Sequence, residues 1–159
     1  MPIMAKIASQ IHRILIKQDK TVSVAESCTG GLLSKLLTDL SGSSHFFILG
    51  IVAYNNKIKE SILKIPKEAI RKNGAVSAEV ATRMAKSIRK IAKTDFGIGV
   101  TGIAGPTGGS TVKPVGTVFI AVSNKNHVIC KKFKFLGSRN SIRNKSSLNA
   151  LKLLLALIS

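Results

Sequence analysis

The stretch Thr21–Leu40, TVSVAESCTGGLLSKLLTDL, decides the fold class that the sequence predicts. Its first five residues, TVSVA, favour a short β-strand, and the leucines that follow Gly31 recur at the spacing of one helical face. Small residues and two glycines connect the two segments, so the backbone can turn sharply between them. A strand that leads directly into a helix is typical of α/β proteins, in which ligands bind beyond the carboxyl ends of the strands.

Further helices and strands are predicted on both sides of this unit. The spacing of apolar residues predicts one helix over 3–18, one after a capping Ser77 and one from Ser138 onward. The polar, basic segment around Pro66 is predicted to form one or two short helices. Apolar or β-rich runs predict strands over 46–54, 96–101, 115–123 and 127–135. The first of these runs, FFILGIVAY, is apolar throughout, so we expect a buried strand, and the last two should form a hairpin.

This order of elements predicts one α/β domain over residues 1–159, with three α/β/α layers around a mixed five-stranded sheet. Helices between the early strands imply parallel crossovers, whereas the late hairpin adds antiparallel pairing. No internal repeat or proline-rich linker divides the chain.

The charge of the chain is strongly unbalanced. It contains 25 Lys and Arg against 7 Asp and Glu, a formal net charge of +18. Such a field attracts polyanions and phosphorylated ligands. The basic residues are scattered in blocks no longer than two, and no recognised base-reading motif or stacking platform accompanies them. A solvated basic surface is therefore favoured over a nucleic-acid interface.

The cysteines and the apolar runs restrict the class of protein further. Cys28 and Cys130 stand far apart without a CxxC pair, which argues against a disulfide framework or a zinc site. No apolar run is long enough to span a membrane, and the first helix is amphipathic rather than a signal peptide. We therefore expect a cytoplasmic protein without a membrane partner or a metal.

The turn after the first predicted strand contains the first candidate site. Ser27 could attack a carbonyl there, beside the backbone N–H groups of Thr29, Gly30 and Gly31 at the start of the next helix. Those groups could bind a phosphate or a developing oxyanion. Cys28 is a weaker candidate nucleophile, because no histidine stands at a recognisable partner position. The alternative is structural, with Ser27 or Thr29 capping the helix.

The second candidate site follows the apolar strand, in the segment Tyr54–Lys59, YNNKIK. A serine hydroxyl needs a base, and a lysine can act as one when burial or nearby positive charge lowers its pKa. Tyr54 could donate a hydrogen bond that orients the lysine or the attacked group. The alternative is that Lys57 and Lys59 are ordinary solvated lysines.

The third candidate site is the glycine-rich segment Thr101–Gly109, TGIAGPTGG. Its four glycines permit close approach of the backbone to a ligand, although the segment matches neither a Walker A loop nor a GxGxxG motif. A long connection in a small domain is usually functional, and an ordinary surface loop is the alternative. Arg139 and Arg143 lie at the start of the last predicted helix. Their guanidinium groups suit phosphate, and the alternative is that both are ordinary surface arginines.

Five motifs then occur in an order typical of one known family. AESCTGG, YNNKIK, NGAVSAEVA, TGIAGPTGG followed by KPVGTV, and FLGSRNSIR together resemble the CinA carboxy-terminal domain family, over nearly the whole chain. Stand-alone members of that family are nicotinamide-nucleotide amidases. The resemblance implies a three-layer α/β/α fold and hydrolysis of nicotinamide mononucleotide to nicotinate mononucleotide and ammonia, without a metal or cofactor. Longer relatives have an amino-terminal domain associated with ADP-ribose hydrolysis, an activity not expected of this sequence.

The resemblance also implies catalytic roles for individual residues. The serine of AESCTGG is the family's nucleophile and corresponds to Ser27. The tyrosine that begins the YxNxxK pattern corresponds to Tyr54, and its lysine corresponds to Lys59, which favours Lys59 over Lys57 as the general base.

The family's substrate contacts fall on later residues. They correspond to Thr101 and Gly102 in the glycine-rich segment, to which we add Gly105, and to Arg139. Many relatives have an Asp immediately before that arginine, where this chain has Ser138. The sequence therefore leaves open how Arg139 is oriented.

Two other functions remain open from the sequence. The chain could be a non-catalytic nucleotide- or nucleic-acid-binding module that uses its basic surface and glycine-rich loops. It could also be an amidase for a different phosphorylated or ribosyl amide. Related domains suggest self-association, so a homo-oligomer is a candidate assembly.

Overall fold

Helices and strands follow one another in the predicted order. The computed structural model describes residues 2–159. The helices are α1 (Ile3–Gln18), α2 (Leu32–Thr38), α3 (Asn56–Ser61), α4 (Lys67–Asn73), α5 (Ala78–Ala92) and α6 (Arg139–Ile158). The strands are β1 (Val22–Glu26), β2 (Phe47–Val52), β3 (Phe96–Gly102), β4 (Thr117–Ser123) and β5 (Val128–Lys134).

The five strands form one mixed sheet in the order β2-β1-β3-β4-β5. β1 runs parallel to β2 and β3, whereas β4 is antiparallel to both β3 and β5. The predicted hairpin is confirmed, and Asn124 closes its turn because its side chain accepts from the backbone N–H groups of Asn126 and His127. The predicted mixed five-stranded sheet is therefore confirmed.

Helices cover both faces of the sheet. α1, α2 and α6 pack on one face, with fully buried side chains such as Ile11, Leu33 and Leu151. α5 packs on the other face, where Met84 and Ile88 are fully buried. The predicted three-layer α/β/α arrangement is confirmed. None of the helices in residues 2–159 combines the length and the apolarity needed to cross a membrane.

The prediction that the apolar run 46–54 forms a buried strand is wrong. β2 lies at the edge of the sheet, and its residues alternate between half-buried and exposed. Ile48 and Val52 are 48% and 47% exposed, while Leu49 and Ile51 pack against the core under α5. An apolar run does not reveal whether a strand has one neighbour or two, since strand order is a property of the whole chain.

α5 lies unusually close to β3 because two glycines of that strand face the helix. A Cβ atom built on Gly97 would collide with the carbonyl oxygen of Ala85, and one built on Gly99 would collide with that of Ala81. The glycines therefore allow the helix backbone to contact the strand directly. This packing fixes α5 above the centre of the sheet.

Parallel pairing places the carboxyl ends of β1, β2 and β3 together, at one end of the sheet along the strand direction. The three candidate loops follow those strand ends: the turn after Glu26, the segment after Val52 and the glycine-rich segment after Gly102. The fold thus brings together segments that are far apart in sequence.

Candidate active site

A cavity of about 260 Å³ opens at the carboxyl ends of these three strands. Its walls come from all three candidate loops and from the segment between α4 and α5. Among the residues predicted from the sequence, the cavity is lined by Ser27, Tyr54, Lys59, Thr101, Gly102, Gly105 and Arg139.

A serine and a lysine lie in contact inside this cavity. The Nζ atom of Lys59 is 3.1 Å from the Oγ atom of Ser27. Lys59 is only 1% exposed, and its Nζ also donates to the carbonyl oxygen of Ala53 at 2.8 Å. α3 begins directly after β2, capped by the side chain of Asn55, so its first turn directs Lys59 back toward the end of β1.

The surroundings of Lys59 favour its neutral form. No carboxylate within residues 2–159 forms a salt bridge with it. Burial lowers its pKa from the ordinary value of lysine, and the neighbouring Cys28 opposes this shift only in part. A neutral amine can accept the hydroxyl proton of Ser27, whereas an ammonium group can only donate. The pair therefore has the geometry of a nucleophile with its general base.

Cys28 lines the same cavity but lacks the chemistry of a nucleophile. It is buried, and burial raises the pKa of its thiol to about 12, with a further rise from the charge of Glu26. The reactive species of cysteine is the thiolate, which is scarce at neutral pH when the pKa is this high. The geometry thus favours Ser27 over Cys28.

We expect Cys28→Ala to keep most of the hydrolytic rate, because the neutral thiol supplies neither a nucleophile nor a base. Ammonia release from the substrate that the motif resemblance implies, nicotinamide mononucleotide, measures this rate. Alkylation by iodoacetamide at neutral pH should also be slow at Cys28, as followed by mass spectrometry. A loss of activity as large as that of Ser27→Ala would instead assign the nucleophile to the thiol.

A buried carboxylate binds part of the helix N-terminus after Ser27. The buried carboxylate of Glu26 accepts hydrogen bonds from the backbone N–H groups of Gly31, Leu33 and Ser34, at 2.8–3.1 Å, and from the Ser34 hydroxyl. Of the donors expected to hold a phosphate or oxyanion, the N–H of Gly31 is thus already bonded, and the expectation stays a prediction. Glu26 rather than Ser27 or Thr29 caps the helix.

The glycine-rich segment offers free donors. The backbone N–H groups of Ala104, Gly105, Thr107 and Gly108 donate to no acceptor within residues 2–159, and all four residues line the cavity. Unpaired N–H groups beside a nucleophile can bind an anion or a developing oxyanion. The glycine-rich segment can therefore supply donors to a ligand in the cavity.

Arg139 connects two walls of the cavity. Its Nη1 donates to the carbonyl oxygen of Gly105 at 2.7 Å, and its Nη2 donates to the hydroxyl of Tyr54 at 2.6 Å. Ser138 caps α6 by accepting from the backbone N–H of Ser141. The position of Arg139 thus depends on Gly105 and Tyr54, so it needs no preceding carboxylate. The side-chain hydroxyl of Tyr54 therefore contacts Arg139 rather than Lys59. The backbone carbonyl oxygen of Tyr54 lies 3.5 Å from Nζ of Lys59.

Sequence comparison assigns the chain to a family. A sequence model of the CinA C-terminal domain matches residues 4–158. The chain belongs to the CinA C-terminal domain family. A CinA-like protein of Thermotoga neapolitana is 44% identical over 147 residues, which cover 92% of this chain and 36% of that protein. A CinA-like protein of Geotalea daltonii is 48% identical over 135 residues, covering 85% and 33%.

Solved structures agree with this assignment. The crystal structure of a competence/damage inducible protein from Agrobacterium tumefaciens has a TM-score of 0.97 to this CinA domain. It is 36% identical in sequence, and the match covers 100% of this chain and 98% of that one. The chain spans about a third of the length of the curated relatives named above. The family and the fold inferred from the five motifs are confirmed.

Three residues predicted to bind substrate do not line the cavity of this CinA domain: Thr29, Gly30 and Gly31. Thr29 is fully buried, and its carbonyl oxygen accepts two hydrogen bonds from Arg143, at 3.2 and 2.9 Å. Gly30 has φ +59°, and a Cβ atom there would lie 3.0 Å from the Arg143 guanidinium. Arg143 therefore fixes the turn that presents Ser27, while substrate contacts by the three turn residues remain a prediction.

The segment between α4 and α5 was missed as a part of the site. Ala75 and Val76 line the cavity, and Thr101 fixes this wall because its hydroxyl donates to the carbonyl oxygen of Ala75 at 2.8 Å. Lys113 fixes the same wall from the glycine-rich side, donating to the carbonyl oxygen of Asn73 at 2.8 Å. The motif NGAVSAEVA includes this wall, so its position among the family motifs was the signal available in the sequence.

A larger groove of about 440 Å³ lies between α1 and α6 of the CinA domain. Ser159 and Lys17 both line it, but the Ser159 hydroxyl donates to the carbonyl oxygen of Leu155, and no hydrogen bond joins it to Lys17. Within residues 2–159, no three His, Cys, Asp or Glu side chains gather where they could bind a metal ion. The smaller cavity is therefore the candidate active site, because it contains the Ser27–Lys59 pair.

Proposed function

We propose that this CinA-family protein is an amidohydrolase that converts nicotinamide mononucleotide to nicotinate mononucleotide and ammonia. The observation that supports this most is the 3.1 Å contact between Nζ of Lys59 and Oγ of Ser27 in a cavity sized for a small molecule. The resemblance of the five motifs to stand-alone amidases of the family supplies the substrate. In this proposal the catalytic groups all belong to the chain, and water is the co-substrate.

The first step is acyl transfer to Ser27. The neutral amine of Lys59 takes the hydroxyl proton as Oγ attacks the carboxamide carbon, and the carbonyl electrons move to oxygen. The oxyanion would be bound by free N–H groups of the glycine-rich segment. Each well-placed donor of this kind contributes roughly 3 kcal/mol to the stability of the transition state. The C–N bond then breaks, and ammonia leaves with the proton that Lys59 has carried.

The second step regenerates the enzyme. Lys59, neutral again, takes a proton from water as the water oxygen attacks the ester carbon of the acylated Ser27. The C–O bond to Oγ breaks, Ser27 recovers its proton, and the acid product leaves. Tyr54 and Arg139 line the same cavity, and a guanidinium group suits the phosphate of the proposed substrate.

The test is a panel of amides assayed for ammonia and for the acid product. We expect the highest kcat/KM with nicotinamide mononucleotide, and at least about tenfold lower values with the unphosphorylated riboside, because the phosphate contact to Arg139 is lost. Ser27→Ala should abolish ammonia release. Ser44→Ala, at an exposed serine outside the cavity, is the matched control and should leave the rate unchanged.

Two results would contradict this proposal. Ammonia release by Ser27→Ala at the wild-type rate would remove the serine mechanism. Failure to hydrolyse any amide, combined with nucleic-acid affinity that falls steeply with salt and ignores Ser27→Ala, would identify a binding module. A preference for another phosphorylated amide would keep the chemistry and change the substrate.

A further inference from the structure

A second polar cavity lies at the opposite end of β3 from the candidate active site. It has a volume of about 270 Å³ and is formed by the carboxyl-terminal half of α5 and by the turn between β4 and β5. Gly97 of β3 pairs with Ser123, which lines this cavity, whereas Gly102 of the same strand lines the candidate active site. These two glycines are roughly 16 Å apart along an extended strand. The two cavities are therefore separate sites.

Positive charge is concentrated in this second cavity. Four of its nine lining residues are Lys or Arg, compared with 25 of the 159 residues in the chain. They are Lys86, Arg89 and Lys90 on α5 and Lys125 in the β4–β5 turn, and we call the cavity they line the basic cavity. No acidic residue lines it, and none of the four cations forms a salt bridge within residues 2–159. Folding thus gathers cations that are scattered in the sequence.

Arg89 supplies donors that the fold leaves unused. Its Nε atom is buried and has no hydrogen-bond partner within residues 2–159. Its Nη1 donates to the carbonyl oxygen of Thr94 only at 3.4 Å, which is long for a hydrogen bond. A buried donor without an acceptor costs free energy. Phosphate oxygens can accept from two N–H groups of one guanidinium at once, so a bound phosphate would supply what this side chain lacks.

The dipole of α5 accounts for only part of this charge. Cations in the last turn of a helix stabilise its negative end, and Arg89 and Lys90 occupy that position. Lys86 lies one turn earlier and Lys125 lies in a different segment, so the dipole does not explain them. Like charges gathered at one concave surface repel one another unless an anion neutralises them. The basic cavity therefore favours a ligand with more than one negative charge.

We propose that the basic cavity binds the phosphate group of a small molecule, with Arg89, Lys90 and Lys125 as its principal donors. A phosphate monoester carries a charge of about −1.5 to −2 at neutral pH, whereas each phosphate of a nucleic acid carries about −1. A concave site also suits a small ligand, while a nucleic-acid backbone follows an extended basic stripe or groove. This inference does not depend on the amidase proposal, because the two cavities share no lining residue.

The test is a titration of the isotope-labelled protein with inorganic phosphate, followed by NMR at constant ionic strength. We expect the Nε–H signal of Arg89 and the amide signals of the β4–β5 turn to shift together, with a Kd of about 1 mM or lower. Lys90→Gln/Lys125→Gln should weaken binding at these signals about tenfold. The matched control is Lys72→Gln/Lys131→Gln, which removes the same charge from exposed lysines outside the basic cavity and should keep the wild-type Kd.

Thermal unfolding of both double variants checks that they remain folded, and the wild-type titration requires no substitution. An Arg89 signal that does not move up to about 10 mM phosphate would contradict the inference. An equal loss of affinity in the control variant would also contradict it, because the overall charge of the chain would then explain the binding. An oligonucleotide that shifts the same signals at a lower concentration than phosphate would instead identify a nucleic-acid surface.

Discussion

Lys59→Met should lower the rate of ammonia release by roughly 10⁴-fold or more, since removing one member of a nucleophile–base pair costs nearly as much as removing the pair. Methionine has a similar length but cannot accept the proton of Ser27. The double variant Ser27→Ala/Lys59→Met should be about as slow as either single variant, because the two groups act as a unit. Lys57→Met is the matched control, at an exposed lysine two residues away, and should keep the wild-type rate.

The pH dependence follows from the same residue. In the proposed mechanism the neutral form of Lys59 is the active one, and burial lowers its pKa. The rate should therefore fall as pH decreases through this lowered pKa, and should reach its plateau below the pH at which an ordinary lysine becomes neutral. A rate that rises only near pH 10 would show that Lys59 titrates like a solvated lysine.

The stability of Lys59→Met distinguishes lost chemistry from lost folding. The pKa of Lys59 is lower in the folded state than in the unfolded chain, so the unfolded chain binds more protons between these two pKa values. The cost of burying the ammonium is fully present below the folded-state pKa and disappears as pH rises to the unfolded-state value. Lys59→Met should thus raise Tm at neutral or lower pH and lose this advantage at high pH. A large drop in Tm at neutral pH would contradict this account.

Gly99→Ala should destabilise the protein by at least about 3 kcal/mol, at the upper end of the usual cost of overpacking. The added Cβ would collide with the carbonyl oxygen of Ala81 and lie 2.6 Å from the backbone nitrogen of Ala85. These are backbone atoms of α5, so no side-chain rotation relieves the contact. At about 2–4 °C for each kcal/mol in a domain of this size, Tm should fall by roughly 6–12 °C.

The adjacent residue supplies a control for this substitution. Ile98 is fully buried on the opposite face of the sheet, and Ile98→Val removes one methyl group there. Its expected cost is about 1 kcal/mol, so Gly99→Ala should be clearly the worse of the two changes. Equal Tm values for the two variants would mean that α5 shifts away from β3 at little cost.

The sequence predicted the site better than it predicted the surroundings of the site. Ser27 and Lys59 were selected because they occur in family motifs, and the structure places them in contact. Their separation of 32 residues has no local periodicity, so residue spacing alone could not have paired them. The role of Glu26 was missed because a carboxylate beside a serine does not reveal that its side chain turns toward the helix N-terminus.

Local sequence by itself determined the elements of this protein: the strand-turn-helix at Thr21–Leu40, the late hairpin, and the α/β/α class that they imply. These features depend on side-chain periodicity and turn residues, which act within a few positions of one another. Tertiary structure alone decided that β2 is an edge strand, that Gly97 and Gly99 face a helix, and that Lys59 is buried without a carboxylate. The physical reason is that burial and pKa depend on which distant segments pack around a residue, and that is settled only when the whole chain has folded.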